Sequence, residues 1–275
     1  MKNIDIRLNI FFIVLSTIGL SIYFIYLKGG KYETELFSIL LTFLGFTAGS
    51  LYSFIKEHKK DLIVAFKCNL TSIRNQDIYI SLSYLFRIKI EGDNKYLMVR
   101  GNRIRRQYQP VGGVYKRYPS SEGLFNEMNA KGAKIEENNA DDLRFYVKGG
   151  NVLKIINWFF SRKNREIDVW REFHEELISN GILPQEKFRF IKPEYLHSKH
   201  ERLITRRGIN AKQYLIYDIY TISFTEEQKK ALRDLLKESE FTETYAFVNE
   251  EDLDKELIYY DNEEYQLGFH AKYLI

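Results

Sequence analysis

The sequence predicts an α+β protein in which two apolar helices precede a body built around a mixed β-sheet. Two apolar runs, residues 8–27 and 36–55, contain no charged residue and are each long enough for a membrane helix. Beyond residue 60, short runs of alternating β-branched and aromatic residues are separated by turn sequences, which is typical of strands. Amphipathic helical patterns at 167–177 and 226–238 interrupt these strands, so the second part of the chain combines both element types.

The apolar runs predict a transmembrane hairpin in residues 1–60, with helices at about 8–27 and 36–55. A helix of about 20 residues is roughly 30 Å long, which matches the hydrocarbon core of a bilayer. Basic residues lie before the first run and after the second: Lys2, Arg7, Lys56, Lys59 and Lys60. Because positive charge favours the cytoplasmic side, we expect a membrane protein with both termini, and all of residues 61–275, in the cytoplasm.

Small residues recur in the second apolar run, at Gly45 and Gly49. Glycines four residues apart allow two helices to approach closely in lipid. Two interpretations are open. Gly45 and Gly49 either pack the two helices of one hairpin together, or they form a contact between copies of the protein.

Composition restricts the function of the second part of the chain. The net charge of +4 is too small to indicate a nucleic-acid polymer as partner. Cys68 is the only cysteine, which excludes an intramolecular disulfide and a zinc site built from cysteines.

The elements of residues 61–275 follow from periodicity and turn residues. Thr225 is the expected N-cap of the later amphipathic helix. In chain order, the expected elements are a strand or two at 77–90, a turn at 91–94, a strand at 95–100, strand-like patterning at 143–160, a helix at 167–177, a short strand at 188–191, a loop at 194–200, a strand at 214–224, a helix at 226–238 and a strand at 245–248.

The helix predicted at 167–177 carries the strongest candidate site. Glu172, Glu175 and Glu176 stand at i, i+3 and i+4, so all three carboxylates are expected on one patch of the helix. Three negative charges within a turn repel one another, and a divalent cation such as Mg²⁺ or Mn²⁺ relieves that repulsion. The alternative is a solvated acidic face without a ligand.

A second candidate segment follows the strand at 95–100. Arginine guanidinium groups suit phosphate oxygens, and the glycines that follow allow the backbone to turn sharply beside a ligand. The alternative for the arginines is a solvated basic loop. The expected ligand-binding residues are Arg103, Arg105, Arg106, Tyr108, Gly112, Gly113 and Tyr115, the tyrosines as rings on which a base stacks.

These two segments resemble the Nudix superfamily. The run Arg171–Glu172–Phe173–His174–Glu175–Glu176 is similar to the Nudix box, and Pro110–Val111–Gly112–Gly113 resembles the glycine segment that precedes it. The resemblance implies an α/β/α sandwich with a mixed sheet, in which glutamates of the box helix hold Mg²⁺ or Mn²⁺ and catalyse hydrolysis of a nucleoside diphosphate linkage.

The sequence departs from the family pattern in three places. Lys163 stands where the pattern has an earlier glutamate, and Ile178 stands where it has a glycine. About 55 residues separate Gly113 from Arg171, whereas family members join these segments almost directly. We therefore expect an insertion at about 116–160.

An apolar hairpin joined to a divergent Nudix domain resembles the SMODS-associated Nudix family, predicted effectors of bacterial cyclic-oligonucleotide anti-phage systems (CBASS). That resemblance implies a protein of the bacterial inner membrane that senses a cyclic oligonucleotide, assembles into a homo-oligomer and perturbs the membrane lipid. Two alternatives remain open. One is an active Mg²⁺-dependent hydrolase with Glu172, Glu175 and Glu176 as catalytic residues, and the other is an interaction module that binds no nucleotide.

Overall fold

The computed structural model describes residues 6–27, 29, 33–101, 104–132, 141–205 and 210–275. The chain divides into two compact units, Met1–Lys67 and Cys68–Ile275. The first unit contains helix α1 (Ile6–Ile22), a π-helical segment (Tyr23–Leu27) and most of helix α2 (Glu33–Leu70).

The helices of the first unit pack against each other. A Cβ atom on Gly19 would lie 2.9 Å from Leu40 Cδ2, and the rings of Tyr23 and Phe37 are 5.4 Å apart between centroids. The close helix approach is therefore at Gly19. At Gly45 and Gly49 a Cβ atom would meet no heavy atom of the described residues within 4 Å, so these two glycines make no comparably close contact there. A contact between copies through Gly45 and Gly49 stays a prediction.

The predicted transmembrane hairpin is wrong. Among the helices formed by the described residues, none combines the length and the apolar character needed to cross a membrane. Helix α1 has 17 residues, or roughly 26 Å, before the π-helical segment begins. Helix α2 is longer, but it continues through Lys56, Lys59, Lys60 and Asp61, so only part of it is apolar. The predicted location in the bacterial inner membrane is contradicted by the same finding.

The second unit confirms the predicted α+β character, with two mixed sheets. The first sheet has the order β6 (Lys131–Gly132), β7 (Arg144–Lys148), β1 (Asp77–Arg87), β9 (Lys212–Ile222) and β8 (Pro193–Ile204), and β5 (Gly112–Val114) also pairs with β1. Strand β1 is buried along almost its whole length, as expected for a central strand. It runs parallel to β9 and antiparallel to β7 and β5.

The second sheet has the order β10 (Tyr245–Val248), β3 (Lys95–Arg100), β4 (Gln107–Pro110), β12 (Glu263–Leu267) and β11 (Leu257–Tyr260), and β2 (Lys89–Ile90) also pairs with β3. Apolar side chains from both sheets form one buried cluster, to which Tyr79, Leu215 and Ile219 contribute from the first sheet and Tyr96 and Met98 from the second. The site described below lies along β1, β3, β4 and β5.

Several local predictions are confirmed and others are wrong. The hairpin around residues 91–94 is present, and Thr225 caps helix α7 (Glu226–Glu238) through a capping box with Gln228. Residues 194–200 belong to strand β8 instead of a loop. Other helices are α3 (Glu122–Glu127), α4 (Val152–Ser161), α6 (Gln185–Phe188) and α8 (Glu250–Lys255), so 152–160 and 188 are helical where strands were predicted.

Described parts of the region predicted as an insertion, residues 116–160, contribute to the core of the domain. Strand β7 pairs with the first half of β1, from Asp77 to Ser81, and β5 pairs with the second half, from Ser83 to Leu85. Phe159 of helix α4 packs on Tyr115, with ring centroids 5.4 Å apart. The extra segment therefore completes the sheet beside the glycine segment.

Candidate functional site

The box helix begins as α5 (Trp170–Phe173) and continues as a π-helical segment (His174–Ile178). Phe173 and Leu177 are buried, and Phe173 packs on Phe86 of β1, with centroids 5.8 Å apart. The helix ends where Gly181 adopts a φ of +71°, three residues after Ile178.

The π-helical segment changes where the glutamates point. A π-helix bonds residue i to i+5, as the Ser179 N–H does to the His174 carbonyl (2.8 Å), and it therefore alters the α-helical spacing on which the prediction of one shared patch rested. The Glu172 side chain is 16% exposed and lies against Gly113, whereas the Glu175 side chain is 55% exposed. Glu176 points to Gly112. The three carboxylates thus have different neighbours.

The guanidinium group of Arg171 contacts three acidic side chains at the box helix. Arg171 Nε donates to Glu166 Oε1 (2.9 Å), and Arg171 Nη1 contacts Glu172 Oε1 (2.6 Å) and Glu175 Oε2 (3.4 Å). Its Nη2 donates to the Val114 carbonyl (2.9 Å), which ties the box helix to strand β5. Burial by itself lowers the pKa of Arg171, but the bonds to Glu166 and the charge of Glu172 outweigh that effect and raise it. Arg171 therefore stays charged.

Sequence reasoning missed Glu166. Its Oε2 accepts a hydrogen bond from the Lys116 backbone N–H (3.0 Å), and the residue is buried. Glu166 lies three residues after Lys163, where the family pattern has its earlier glutamate. The sequence did place an acidic residue five positions before Arg171. Only the fold shows that the chain turns back between them, so that the side chains of Glu166 and Arg171 pair.

The glycine segment meets the box helix despite the long separation in sequence. Gly112 has a φ of +144°, and a Cβ atom there would lie 2.2 Å from the Tyr84 carbonyl oxygen. A Cβ atom on Gly113 would lie 2.0 Å from Glu172 Oε1. The Gly112 N–H donates to Glu176 Oε2 (2.8 Å), and Gln109 Nε2 donates to Glu176 Oε1 (3.4 Å). A Cβ atom at either glycine would thus collide with its neighbours, at Gly112 with backbone and at Gly113 with the end of a side chain.

Burial changes the ionisation of two glutamates. Desolvation raises the pKa of Glu172, although Arg171 opposes the change. Desolvation raises the pKa of Glu176 to about 8, against the opposing hydrogen bond from the Gly112 N–H. Glu176 consequently carries a proton at neutral pH, and one of its oxygens becomes a hydrogen-bond donor.

The raised pKa of Glu176 predicts a pH-dependent stability. A carboxyl group whose pKa is higher in the folded state stabilises the fold fully below its unfolded pKa, near 4.5, and loses that contribution as pH rises to about 8. Each pKa unit corresponds to about 1.4 kcal/mol, so we expect the wild-type protein to lose a few kcal/mol over this range. Glu176→Gln should lack that loss. Urea unfolding of both proteins at pH 5 and pH 8 measures the difference, and parallel pH dependences would contradict the assignment.

The carboxylates of the box helix suit Mg²⁺ or Mn²⁺ by chemistry, but their arrangement does not fit a divalent ion. Within the parts of the chain that the structure describes, no group of three or more His, Cys, Asp or Glu side chains is placed to hold a metal. Arg171 bridges Glu166, Glu172 and Glu175, and Glu176 is turned toward the Gly112 N–H. Each of these four carboxyl groups therefore already has at least one partner within the protein.

A cleft of about 640 Å³ opens at the end of the box helix, and we call it the box cleft. Arg100 and Arg105 line it from the β3–β4 connection, and Glu176 and Asn180 line it from the box helix. Apolar walls are provided by Val99, Ile104 and Ile182. Of the residues predicted to bind a ligand, the fold thus brings Arg105 to the box cleft, together with Arg100, which sequence reasoning had not selected.

Of the other predicted ligand residues, those that the structure describes do not line the box cleft. Arg103 is outside the described residues. Arg106 pairs with Glu263 (3.2 Å) and lies over the Tyr265 ring. Tyr108 and Tyr115 are each about 1% exposed, so neither ring presents a face on which a base can stack. Their hydroxyl groups bond the Thr242 carbonyl and Asp218 Oδ2, respectively.

The fold and the glycine-to-box contact define a Nudix-type domain. In agreement with this, the model of the family described as "SMODS-associated NUDIX domain" matches residues 77–275. The chain belongs to the SMODS-associated NUDIX domain family. Nudix domains generally use divalent metals such as Mg²⁺ or Mn²⁺. Searches of curated proteins and of solved structures found no significant match.

Proposed function

We propose that the chain is an effector of a bacterial CBASS anti-phage system whose Nudix-type domain binds a cyclic oligonucleotide without hydrolysing it. The observation that supports this most directly is the pairing of Arg171 with Glu166, Glu172 and Glu175. In this arrangement the charged residues of the box helix stabilise the fold, and the ligand binds in the adjacent box cleft. Membership of the SMODS-associated NUDIX domain family supports a cyclic oligonucleotide as the ligand, and we call this ligand the messenger.

The box cleft suits a phosphodiester. Arg100 and Arg105 supply guanidinium groups that bond phosphate oxygens, and the acidic Glu243 lies beside them. Glu176 in its protonated form and the Asn180 amide supply neutral hydrogen-bond donors for a sugar or a base. The apolar side chains of Val99 and Ile182 provide surface for the non-polar part of a nucleotide.

We further propose that the messenger favours a homo-oligomer. The first unit exposes large apolar side chains, among them Phe46 at 75%, Ile25 and Ile39, and such surface is typical of interaction sites. A ligand shifts this equilibrium only if it binds the assembled form more tightly. Perturbation of a membrane by a transmembrane hairpin is not part of the proposal, since none of the helices in the described part of the chain can cross a membrane.

A comparison of two adjacent arginines tests the proposal. Arg105→Ala should weaken binding of the messenger about tenfold or more, because a charge-assisted hydrogen bond contributes roughly 1.5–3 kcal/mol. Arg106→Ala is the matched control, since Arg106 pairs with Glu263 outside the box cleft. Isothermal titration with a panel of cyclic di- and trinucleotides measures affinity, and mass photometry of the same samples measures assembly.

The same samples separate the alternatives. Mg²⁺-dependent cleavage of a nucleotide that disappears in Glu175→Gln would replace the binding proposal with a hydrolase. Absence of binding to every nucleotide of the panel would favour an interaction module. Equal losses of affinity in Arg105→Ala and Arg106→Ala would remove the box cleft from the proposal, and unchanged particle mass in saturating ligand would reject ligand-driven assembly.

A further inference from the structure

We propose that the domain has a second ligand site, for a phosphorylated small molecule, in a groove that shares no lining residue with the box cleft. We call this cavity of about 580 Å³ the hairpin groove. It lies between the β2–β3 hairpin turn, the end of strand β9 and helix α7. The acidic side chain of Glu91 lines it together with four cationic side chains, those of Arg87, Lys89, Lys229 and Arg233.

The charges of the hairpin groove leave an excess of positive charge. Lys89 pairs with Glu250 (3.2 Å), and Lys229 pairs with Glu91 (3.0 Å) and with Glu226. Arg87 and Arg233 form no ion pair with any acidic residue in the described parts of the chain. A groove with two arginines outside these ion pairs concentrates anions, because walls of low polarity focus the field of like charges.

Arg87 is the best-positioned member of this group. It ends the buried strand β1 opposite Thr221 of β9, and the Thr221 hydroxyl donates to its carbonyl (3.4 Å). The Arg87 guanidinium lies 5.9 Å from the centre of the Tyr96 ring. Its Nε is buried and finds no hydrogen-bond acceptor among the described residues. Buried donors are nearly always bonded, so Arg87 lacks the acceptor that such a donor usually has.

The shape of the hairpin groove indicates more than a simple ion. Ile222, Phe224 and Leu232 form an apolar wall, and Phe224 is fixed by its contact with Phe188, with ring centroids 6.1 Å apart. Two guanidinium groups beside an apolar wall suit a phosphate ester that carries an organic group. Planar guanidinium forks match phosphate oxygens better than they match a halide or a hydrated cation.

The test uses the full chain with Arg105→Ala as background, so that the box cleft contributes little. The probes are pyrophosphate, AMP and adenosine, and the measurement is isothermal titration together with thermal unfolding. Pyrophosphate and AMP should bind and raise the unfolding temperature, and adenosine should not. Adding Arg233→Ala should weaken binding about tenfold, and adding Arg87→Lys, which keeps the charge but removes Nε, should weaken it similarly.

Lys230→Ala is the matched control. It removes the same charge from the same helix at an exposed position that does not line the groove, where Lys230 pairs with Asp234 (2.7 Å). Its affinity for pyrophosphate should equal that of the background protein. The proposal is overturned if neither phosphate probe binds, if adenosine binds as well as AMP, or if Arg233→Ala and Lys230→Ala lower affinity equally. Since Arg233 is on the surface of helix α7, its variant remains informative even if Arg87→Lys fails to fold.

Discussion

Arg171→Ala is expected to lower the free energy of unfolding of the domain by about 3–5 kcal/mol, because removal of one partner leaves buried charges without compensation. The Glu166 and Glu172 side chains are largely buried, and both bond the Arg171 guanidinium. The bond from Nη2 to the Val114 carbonyl disappears as well. Urea unfolding followed by circular dichroism measures the loss.

The pH dependence of this loss distinguishes charge from packing. In the variant, Glu172 loses the cation that opposes the effect of burial on its pKa, so this pKa rises further and protonation at acid pH restores part of the stability. The destabilisation should therefore be smaller at pH 5 than at pH 8. A loss that is equal at both pH values would indicate a packing defect. Lys192→Ala, at a side chain that is 78% exposed, is the control and should change stability by less than about 0.5 kcal/mol.

Gly112→Ala is expected to lower the free energy of unfolding by about 3 kcal/mol or more, since strained backbone and overpacking each contribute about 1–3 kcal/mol. The new methyl group would lie 2.2 Å from the Tyr84 carbonyl oxygen, which the pairing of β1 with β5 holds in place. The φ of +144° also disfavours alanine. Thermal unfolding of purified variants measures the effect.

Two further glycines calibrate this result. Gly113→Ala should cost less, because its methyl group meets the end of the Glu172 side chain, which can rotate away. Gly123→Ala, in helix α3, meets nothing within 4 Å and should be neutral or slightly stabilising. We expect the destabilisation to be largest for Gly112→Ala, smaller for Gly113→Ala and smallest for Gly123→Ala. If Gly112→Ala were as stable as Gly123→Ala, the close approach of β5 to β1 would be incorrect.

Local sequence patterns determined much of the second unit. Alternation in residues 77–90 and 214–224 predicted the two long strands at the centre of the first sheet, β1 and β9, and Thr225 predicted the start of helix α7. Such signals are readable because side-chain periodicity and capping depend on residues within one element. The box run and the glycine segment likewise predicted the Nudix-type domain. The apolar runs correctly predicted helices, but the prediction that these helices cross a membrane was wrong.

Contacts between distant segments were decided only by the tertiary structure. The pairing of Arg171 with Glu166 needs the loop before the box helix to fold back, and the contact of Gly112 with Glu176 needs strand β5 beside β1. Adjacent arginines diverge, with Arg105 in the box cleft and Arg106 on Glu263, because a turn directs successive side chains differently. The energies of these contacts depend on burial and on partners far away in sequence, which no local pattern records.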